Sequence, residues 1–163
     1  MPHIPILGHT TRPADGVSIV PTELVDANDL YPRLLYGFPA GDEKIGISGA
    51  FRVPDDYDGG AAIVVVWRTA ETSGDVVFDV DYTAVAQGES LDPSSHQESV
   101  SETDSAPGTA HLRADTTLSL TAANFAPGDV VLFTVSRDGA DNADDLAGVV
   151  LLEGVYFSYT VAS

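Results

Sequence analysis

The sequence contains no cysteine, and its seven basic residues include a single lysine, Lys44. Without cysteine the chain cannot form disulfides, thiolate zinc sites or a cysteine nucleophile. Its longest apolar run, residues 61–67, has the length of a strand and is far shorter than the roughly 20 residues that span a bilayer. The N-terminus lacks the basic start and apolar stretch of a signal peptide. We therefore expect neither a membrane segment nor a secretion signal.

Acidic residues dominate the charge. The 25 aspartates and glutamates oppose seven bases, which gives a formal net charge of −18. Such a surface repels phosphates, so the composition argues against nucleic acid as a partner. Self-repulsion keeps a protein of this charge soluble. Adaptation to high salt, where the repulsion is screened, is an equally open explanation.

Short segments of alternating apolar and polar residues begin after residue 34. The alternation is clear over 45–53, 75–82, 131–137 and 155–161, and it is typical of half-buried strands. Further strands are expected over 61–68, 99–103, 110–113 and 116–120. Turns rich in glycine, proline and aspartate separate these segments, and none of helical length has a helical period. The pattern predicts an all-β, jelly-roll-like antiparallel β-sandwich of about eight strands, formed as one domain by residues 34–163.

The N-terminal segment has a different composition. Six of the ten prolines precede residue 43, and proline neither donates a backbone hydrogen bond nor adapts its φ angle. We therefore expect residues 1–33 to form an extended arm. Its apolar side chains need cover, either on the chain's own domain or on a partner: Ile4, Ile6, Leu7, Val17 and Ile19.

One basic residue precedes an acidic loop near the C-terminus. Arg137 ends a predicted strand and is followed by Asp138, Asp141, Asp144 and Asp145. A structural ion pair between the arginine and an aspartate is the favoured interpretation. A calcium site is the alternative, because calcium prefers clustered carboxylate oxygens, although the spacing is not that of an EF-hand.

No other pattern indicates chemistry. The four histidines lack metal-ligand spacing, and no nucleophile elbow or phosphate-binding glycine motif is present. Trp67 could line a sugar site, but its place at the end of an apolar strand favours the core. We expect no catalytic residues, no metal and no cofactor.

Two groups of short motifs resemble a known family. The first contains residues 51–59 (FRVPDDYDG), 67–70 (WRTA) and 73–78 (SGDVVF); the second contains 128–133 (GDVVLF), 136–138 (SRD), 144–147 (DDLA), 151–155 (LLEGV) and 159–160 (YT). In this order they resemble small jelly-roll β-sandwich structural proteins of tailed phages and marine viruses, over residues 34–160. The resemblance implies a virion structural role, trimer formation and no catalytic residues.

The first functional hypothesis is therefore a capsid decoration (cement) protein, a homotrimer on the outer capsid surface whose partner is the major capsid protein. The N-terminal arm would lie along neighbouring capsid subunits. The alternatives are a tail-fibre or receptor-binding tip, which could bind carbohydrate, and a single-jelly-roll capsid protein of a halophilic virus. None of these hypotheses makes the protein an enzyme, and none requires nucleic acid or a membrane as partner.

Overall fold

The computed structural model describes residues 1–6, 12–13, 21–24, 30–31 and 33–163, with no description of the side chains of 12–13 and 21–24. Within these ranges the chain forms eleven strands and one short 3₁₀ turn, Ala122–Asn124. The strands are β1 (His3–Pro5), β2 (Arg12–Pro13), β3 (Pro21–Leu24), β4 (Arg33–Phe38), β5 (Lys44–Arg52), β6 (Ala62–Arg68), β7 (Asp75–Val85), β8 (Glu98–Ser105), β9 (Ala114–Ser119), β10 (Val130–Asp138) and β11 (Val150–Ser158). The described ranges contain no helix long and apolar enough to cross a bilayer.

The strands form two antiparallel sheets that pack face to face. Sheet A has the order β3-β4-β11-β6-β9, with β1 added to β11; sheet B has the order β2-β5-β10-β7-β8. This arrangement confirms the predicted all-β, jelly-roll-like sandwich. Eight of the strands, β4 to β11, form its body.

The core lies between the inner faces of the two sheets. Along β6, β7 and β10 alternate residues point into it, as on a pleated strand with one buried face. On β7 the inner row is Val76, Phe78, Val80 and Tyr82, all at most 1% exposed. Trp67 of β6 is fully buried, and its Nε1 donates a hydrogen bond of 2.8 Å to Thr116 Oγ1. Trp67 therefore belongs to the core and lines no open site.

The described parts of the N-terminal segment pair with the sandwich. β1 pairs with β11, β2 with β5, and β3 with β4. Ile4 packs against the core, and Ile6 is 2% exposed. The Ile6 amide also donates a hydrogen bond to Val155 O, at 2.9 Å.

Two of the five predicted arm contacts thus pack within the chain itself. Pairing of β1 with β11 places Ile4 opposite Phe157, where it is half-buried, and Ile6 is buried. Leu7, Val17 and Ile19 lie outside the described residues. A domain boundary between residues 33 and 34 stays a prediction.

Candidate functional site

A groove crosses the outer face of sheet A. Inner positions of β6 are occupied by Ile63, Val65 and Trp67, so the residues between them face outward. With the outward residues of β11 and β9 they enclose about 590 Å³. We call this the sheet A groove; it is lined by His3, Arg33, Val64, Val66, Arg68, His111, Arg113, Asp115, Glu153 and Tyr156.

The floor of the groove follows from strand register. Tyr156 of β11 lies opposite Val64 of β6, and Gly154 lies opposite Val66. Asp115 of β9 is opposite Val66 on the other side. The floor is therefore an aromatic ring beside two valines, with a carboxylate at one margin.

Tyr156 lies along its strand. A Cβ atom placed on Gly154 would come within 2.7 Å of Tyr156 Cε2 and 2.9 Å of its hydroxyl oxygen. Residues 154 and 156 share a face of β11, so this contact at the tip of the ring means that the ring lies against the sheet. Glycine at 154 provides the space, and the ring's other side faces the groove.

An irregularity in β11 places a carboxylate at one end of the groove. The pairing of β11 with β6 shifts register between Leu152 and Gly154, and Glu153 is the extra residue. Such bulges re-aim a side chain. Glu153 Oε1 lies 2.8 Å from Arg33 Nη2 on one side and 2.8 Å from Arg68 Nε on the other. Two guanidinium groups therefore share one carboxylate.

A second arginine–carboxylate pair lies at the groove's rim. Arg113 Nε and Nη2 donate to the two oxygens of Asp115, at 2.7 and 2.6 Å. The turn before Arg113 carries His111, with a φ of +62°, the only positive value among the described non-glycine residues. Residues 110–113 were predicted as a strand and form this turn instead, because the His111 amide donates to Thr69 O at 2.8 Å. Strained backbone of this kind concentrates at functional sites.

The described charged residues are distributed differently on the two outer faces of the sandwich. Three of the chain's seven basic residues line the sheet A groove, where they face two carboxylates. On the outer face of sheet B, Lys44 Nζ lies 2.7 Å from Asp79 and 3.5 Å from Asp81. The groove is thus locally basic in a chain whose net charge is −18.

Arg137 and Asp144 meet away from the groove, at one end of the core. Arg137 Nη2 and Nε donate to Asp144 Oδ1 and Oδ2, at 2.6 and 2.9 Å. The remaining donors reach the carbonyl oxygens of Phe38, Leu146 and Gly148. All five N–H groups of the guanidinium are therefore used.

The other aspartates of this loop make separate contacts. Asp138 and Asp141 accept hydrogen bonds from the amides of Ala140 and Ala143, which is ordinary turn chemistry. Asp145 Oδ1 accepts from the Asp75 amide, at 2.7 Å. In the part of the chain that the structure describes, no three His, Asp or Glu residues are grouped as a metal site.

The groove residues were not predicted from the sequence. A signal was present, because Val64, Val66 and Arg68 alternate with the buried residues of β6, and Arg113 and Asp115 are two apart on one face. Their meeting with Arg33 and Glu153 depends on the order of the strands, which the sequence does not specify.

No protein-family model matches the sequence, and no curated protein matches it. Solved structures with the same fold include the CBM22-1 xylan-binding domain from Paenibacillus barcinonensis, with a TM-score of 0.51, 10% identity, and coverage of 94% of this chain and 87% of that one. A family 11 carbohydrate-binding module from Clostridium thermocellum, in complex with a β-1,3-1,4-mixed-linked tetrasaccharide, has a TM-score of 0.50, 6% identity and coverage of 96% and 94%.

An arabinose-bound α-L-arabinofuranosidase also matches, with a TM-score of 0.50 and 16% identity. The match covers 94% of this chain but 24% of the arabinofuranosidase chain. Identities this low show the fold alone. That fold is the jelly-roll β-sandwich of carbohydrate-binding modules.

Proposed function

We propose that the protein is a non-catalytic carbohydrate-binding module whose ligand lies in the sheet A groove. The observation that carries this proposal is the Tyr156 ring, which lies against Gly154 on the groove floor between paired arginines and carboxylates. A sugar ring has an apolar C–H face that packs on an aromatic ring, and it has hydroxyl groups that both donate and accept hydrogen bonds. The groove offers partners for both.

The dimensions of the groove suit such a ligand. Its volume of about 590 Å³ falls within the roughly 300–1,000 Å³ of small-molecule sites. The register orders its residues along β11. Glu153 and Arg33 mark one end, Tyr156 lies in the middle, and His3, opposite Ser158, marks the other end. Several consecutive sugar units could therefore lie along the strand.

The fold supports the same choice. Two of the structures that share it are a xylan-binding domain and a module that holds a tetrasaccharide. Their identities of 10% and 6% transfer no binding residue to this chain. The proposal therefore rests on the groove's own residues.

The carboxylates of the groove support a binding role without catalysis. A glycosidase needs one carboxyl group as general acid and another as nucleophile or base. Here Glu153 Oε1 contacts Arg33 and Arg68, and its Oε2 lies 3.1 Å from Arg33 Nη2. Both oxygens of Asp115 accept from Arg113. These contacts orient the arginines and occupy the oxygens that catalysis would use.

The resemblance to virion proteins supplies one biological setting, a receptor-binding tip that attaches a particle to a host glycan. Capsid decoration is the second candidate, and it depends on the N-terminal arm. Ile4 and Ile6 of that arm pack on the chain's own core, which is why we place decoration second. Quantitative mass spectrometry of purified particles separates the two. A few to a few tens of copies supports the tip, whereas copies in a simple ratio to the major capsid protein support decoration.

Glycan-array screening followed by calorimetric titration tests the binding proposal. We expect Tyr156→Ala to weaken binding about tenfold or more, since a lost aromatic contact costs on the order of 1 kcal/mol beyond the lost buried area. Tyr31→Ala is the matched control, because Tyr31 is 68% exposed and does not line the groove. Absence of any glycan binding by the folded protein, or full binding by Tyr156→Ala, would overturn the proposal.

A further inference from the structure

We propose that the carbohydrate bound in the sheet A groove is anionic, a chain of sugars that carries carboxylate or sulfate groups. This inference rests on the proposed function and narrows its ligand class. It depends on where the chain places its few basic residues, on the geometry of their ion pairs and on the charge of the remaining surface.

The groove holds more cationic than anionic groups. Among the lining residues that the structure describes, three guanidinium groups (Arg33, Arg68 and Arg113) face two carboxylates, Glu153 and Asp115. Outside the groove acidic groups outnumber basic ones, since the whole chain has a net charge of −18. Binding of a neutral sugar would not require this concentration of arginine. Binding of an anion would, because the surrounding acidic surface repels it and only cations within about 10 Å act effectively in salt.

The arginines in these ion pairs can still bind an acidic group of a ligand. Arg113 uses Nε and Nη2 for Asp115, two of the five donors that a guanidinium carries, and its side chain is 72% exposed. Arg33 is 43% exposed and shares Glu153 with Arg68. Glu153 holds the Arg33 guanidinium in place, so the group is already oriented when a ligand arrives. A planar carboxylate or a sulfate can then accept hydrogen bonds from two of its N–H groups at once.

The positions of these arginines fit an oligosaccharide. Arg33 and Arg113 lie on β4 and beside β9, on opposite sides of the Tyr156 floor. A sugar unit on the ring could therefore direct acidic substituents toward either side. His3 and His111 add ring N–H donors at the margins.

A longer polyanion fits the molecule less well. Nucleic acid would extend beyond the groove over the rest of a surface whose acidic residues give the chain its net charge of −18, and that surface repels phosphate. A short acidic glycan makes its contacts inside the groove. We therefore assign the groove to a glycan and use polyphosphate as a competing probe.

The test is calorimetric titration of the full chain at low ionic strength, with polyphosphate as the competing anion and with three carbohydrate probes of matched length. They are an oligogalacturonate, the neutral oligosaccharide made from it by carboxyl reduction, and a sulfated galactan oligosaccharide. We expect at least one acidic probe to bind about tenfold more tightly than the neutral one. The preference should decrease as salt is added. A preference for oligogalacturonate identifies carboxylate as the recognised group, and a preference for the sulfated probe identifies sulfate.

Single substitutions show which residues cause the preference for acidic probes. Arg33→Gln and Arg113→Gln should each weaken binding of the acidic probe more than binding of the neutral probe, and so reduce the preference for the acidic one. Arg52→Gln is the matched control, because Arg52 is also exposed and paired with an aspartate, Asp55, but lies outside the groove. Tyr156→Ala should weaken acidic and neutral probes alike.

The outcomes separate this inference from the proposed function. Equal affinity for the acidic and reduced probes would overturn the inference and leave a carbohydrate-binding groove in place. Polyphosphate that binds as tightly as the acidic glycans would also overturn it, since the groove would then be a general anion site. If none of these probes and no glycan of the array binds to the folded chain, both proposals are wrong.

Discussion

Arg137 and Asp144 form a buried ion pair in which Nη2 of the arginine lies 2.6 Å from Oδ1 of the aspartate, with side chains 1% and 2% exposed. The pair connects sheet B to the loop after β10. Asp144 Oδ2 also accepts a hydrogen bond from the Val77 amide of β7, at 3.1 Å. Arg137 in turn donates to the carbonyl oxygen of Phe38, at the end of β4 in sheet A. One charged pair thus fixes both sheets and the acidic loop.

Removal of the negative partner should therefore be costly. We expect Asp144→Asn to lower the free energy of unfolding by about 3 kcal/mol or more, because it leaves a buried guanidinium without its counter-charge. Urea denaturation followed by circular dichroism measures the change. Asp141→Asn is the matched control. Its carboxylate accepts a hydrogen bond from the Ala143 amide, as an asparagine oxygen can, so a change within about 0.5 kcal/mol is expected. Equal stabilities for the two variants would contradict this role of the pair.

Local alternation explains why the sandwich could be predicted from the sequence. The period of two on β7, with Val76, Phe78 and Val80 inward and aspartates outward, depends on one strand alone. In two segments the alternation pattern did not predict the observed structure. β4 was missed because residues 33–38 (RLLYGF) do not alternate. Residues 110–113 were predicted as a strand, but their backbone forms a turn at His111.

The candidate site could not be predicted in the same way. Arg33 and Glu153 are 120 residues apart in the sequence and come into contact only because β4 pairs with β11. Glu153 also depends on a register shift that a hydrophobic pattern does not reveal. Arg137 and Asp144, seven residues apart, were within reach of a local argument. The favoured ion pair in the sequence analysis depended on that closeness.

The loss of folding stability at acid pH should depend on Glu98. Burial opposes ionisation of this group, but hydrogen bonds from the Tyr82 hydroxyl and from the amide and hydroxyl of Thr121 outweigh burial and lower the pKa of Glu98. Since the folded pKa is below the unfolded one, the stabilisation is present above the unfolded pKa. It is lost as the pH falls through the folded pKa.

Glu98→Gln tests this dependence. We expect the variant to be less stable than the natural protein near neutral pH, and we expect the difference to shrink as the pH falls below the ordinary range of glutamate. Denaturation midpoints measured across acid pH give the comparison. A stability difference that stays constant with pH would mean that the charge of Glu98 contributes nothing.

The loss of folding stability at alkaline pH should depend on Tyr82. Burial and the hydrogen bond to Glu98 raise the pKa of Tyr82 above its ordinary value, and Asn124 Nδ2, which donates to the hydroxyl at 2.9 Å, opposes the shift. A raised folded pKa stabilises the fold fully below the unfolded pKa, and this contribution is lost as the pH rises through the folded pKa. Tyr82→Phe, which cannot ionise, should therefore show a shallower loss of stability in alkaline solution. Equal slopes for the variant and the natural protein would show that Tyr82 ionises without penalty.

Gly154→Ala should separate binding from folding in the sheet A groove. The added methyl would lie 2.7 Å from Tyr156 Cε2, so the ring must lift away from the sheet. The tip of an outward-facing tyrosine can move, and we therefore expect a modest loss of stability together with a clear loss of glycan affinity. A double-mutant cycle with Tyr156→Ala supplies the control. In that background the alanine at 154 meets no ring, so it should have almost no further effect on affinity. If Gly154→Ala weakened binding equally in both backgrounds, the position of the Tyr156 ring would not be what the groove uses.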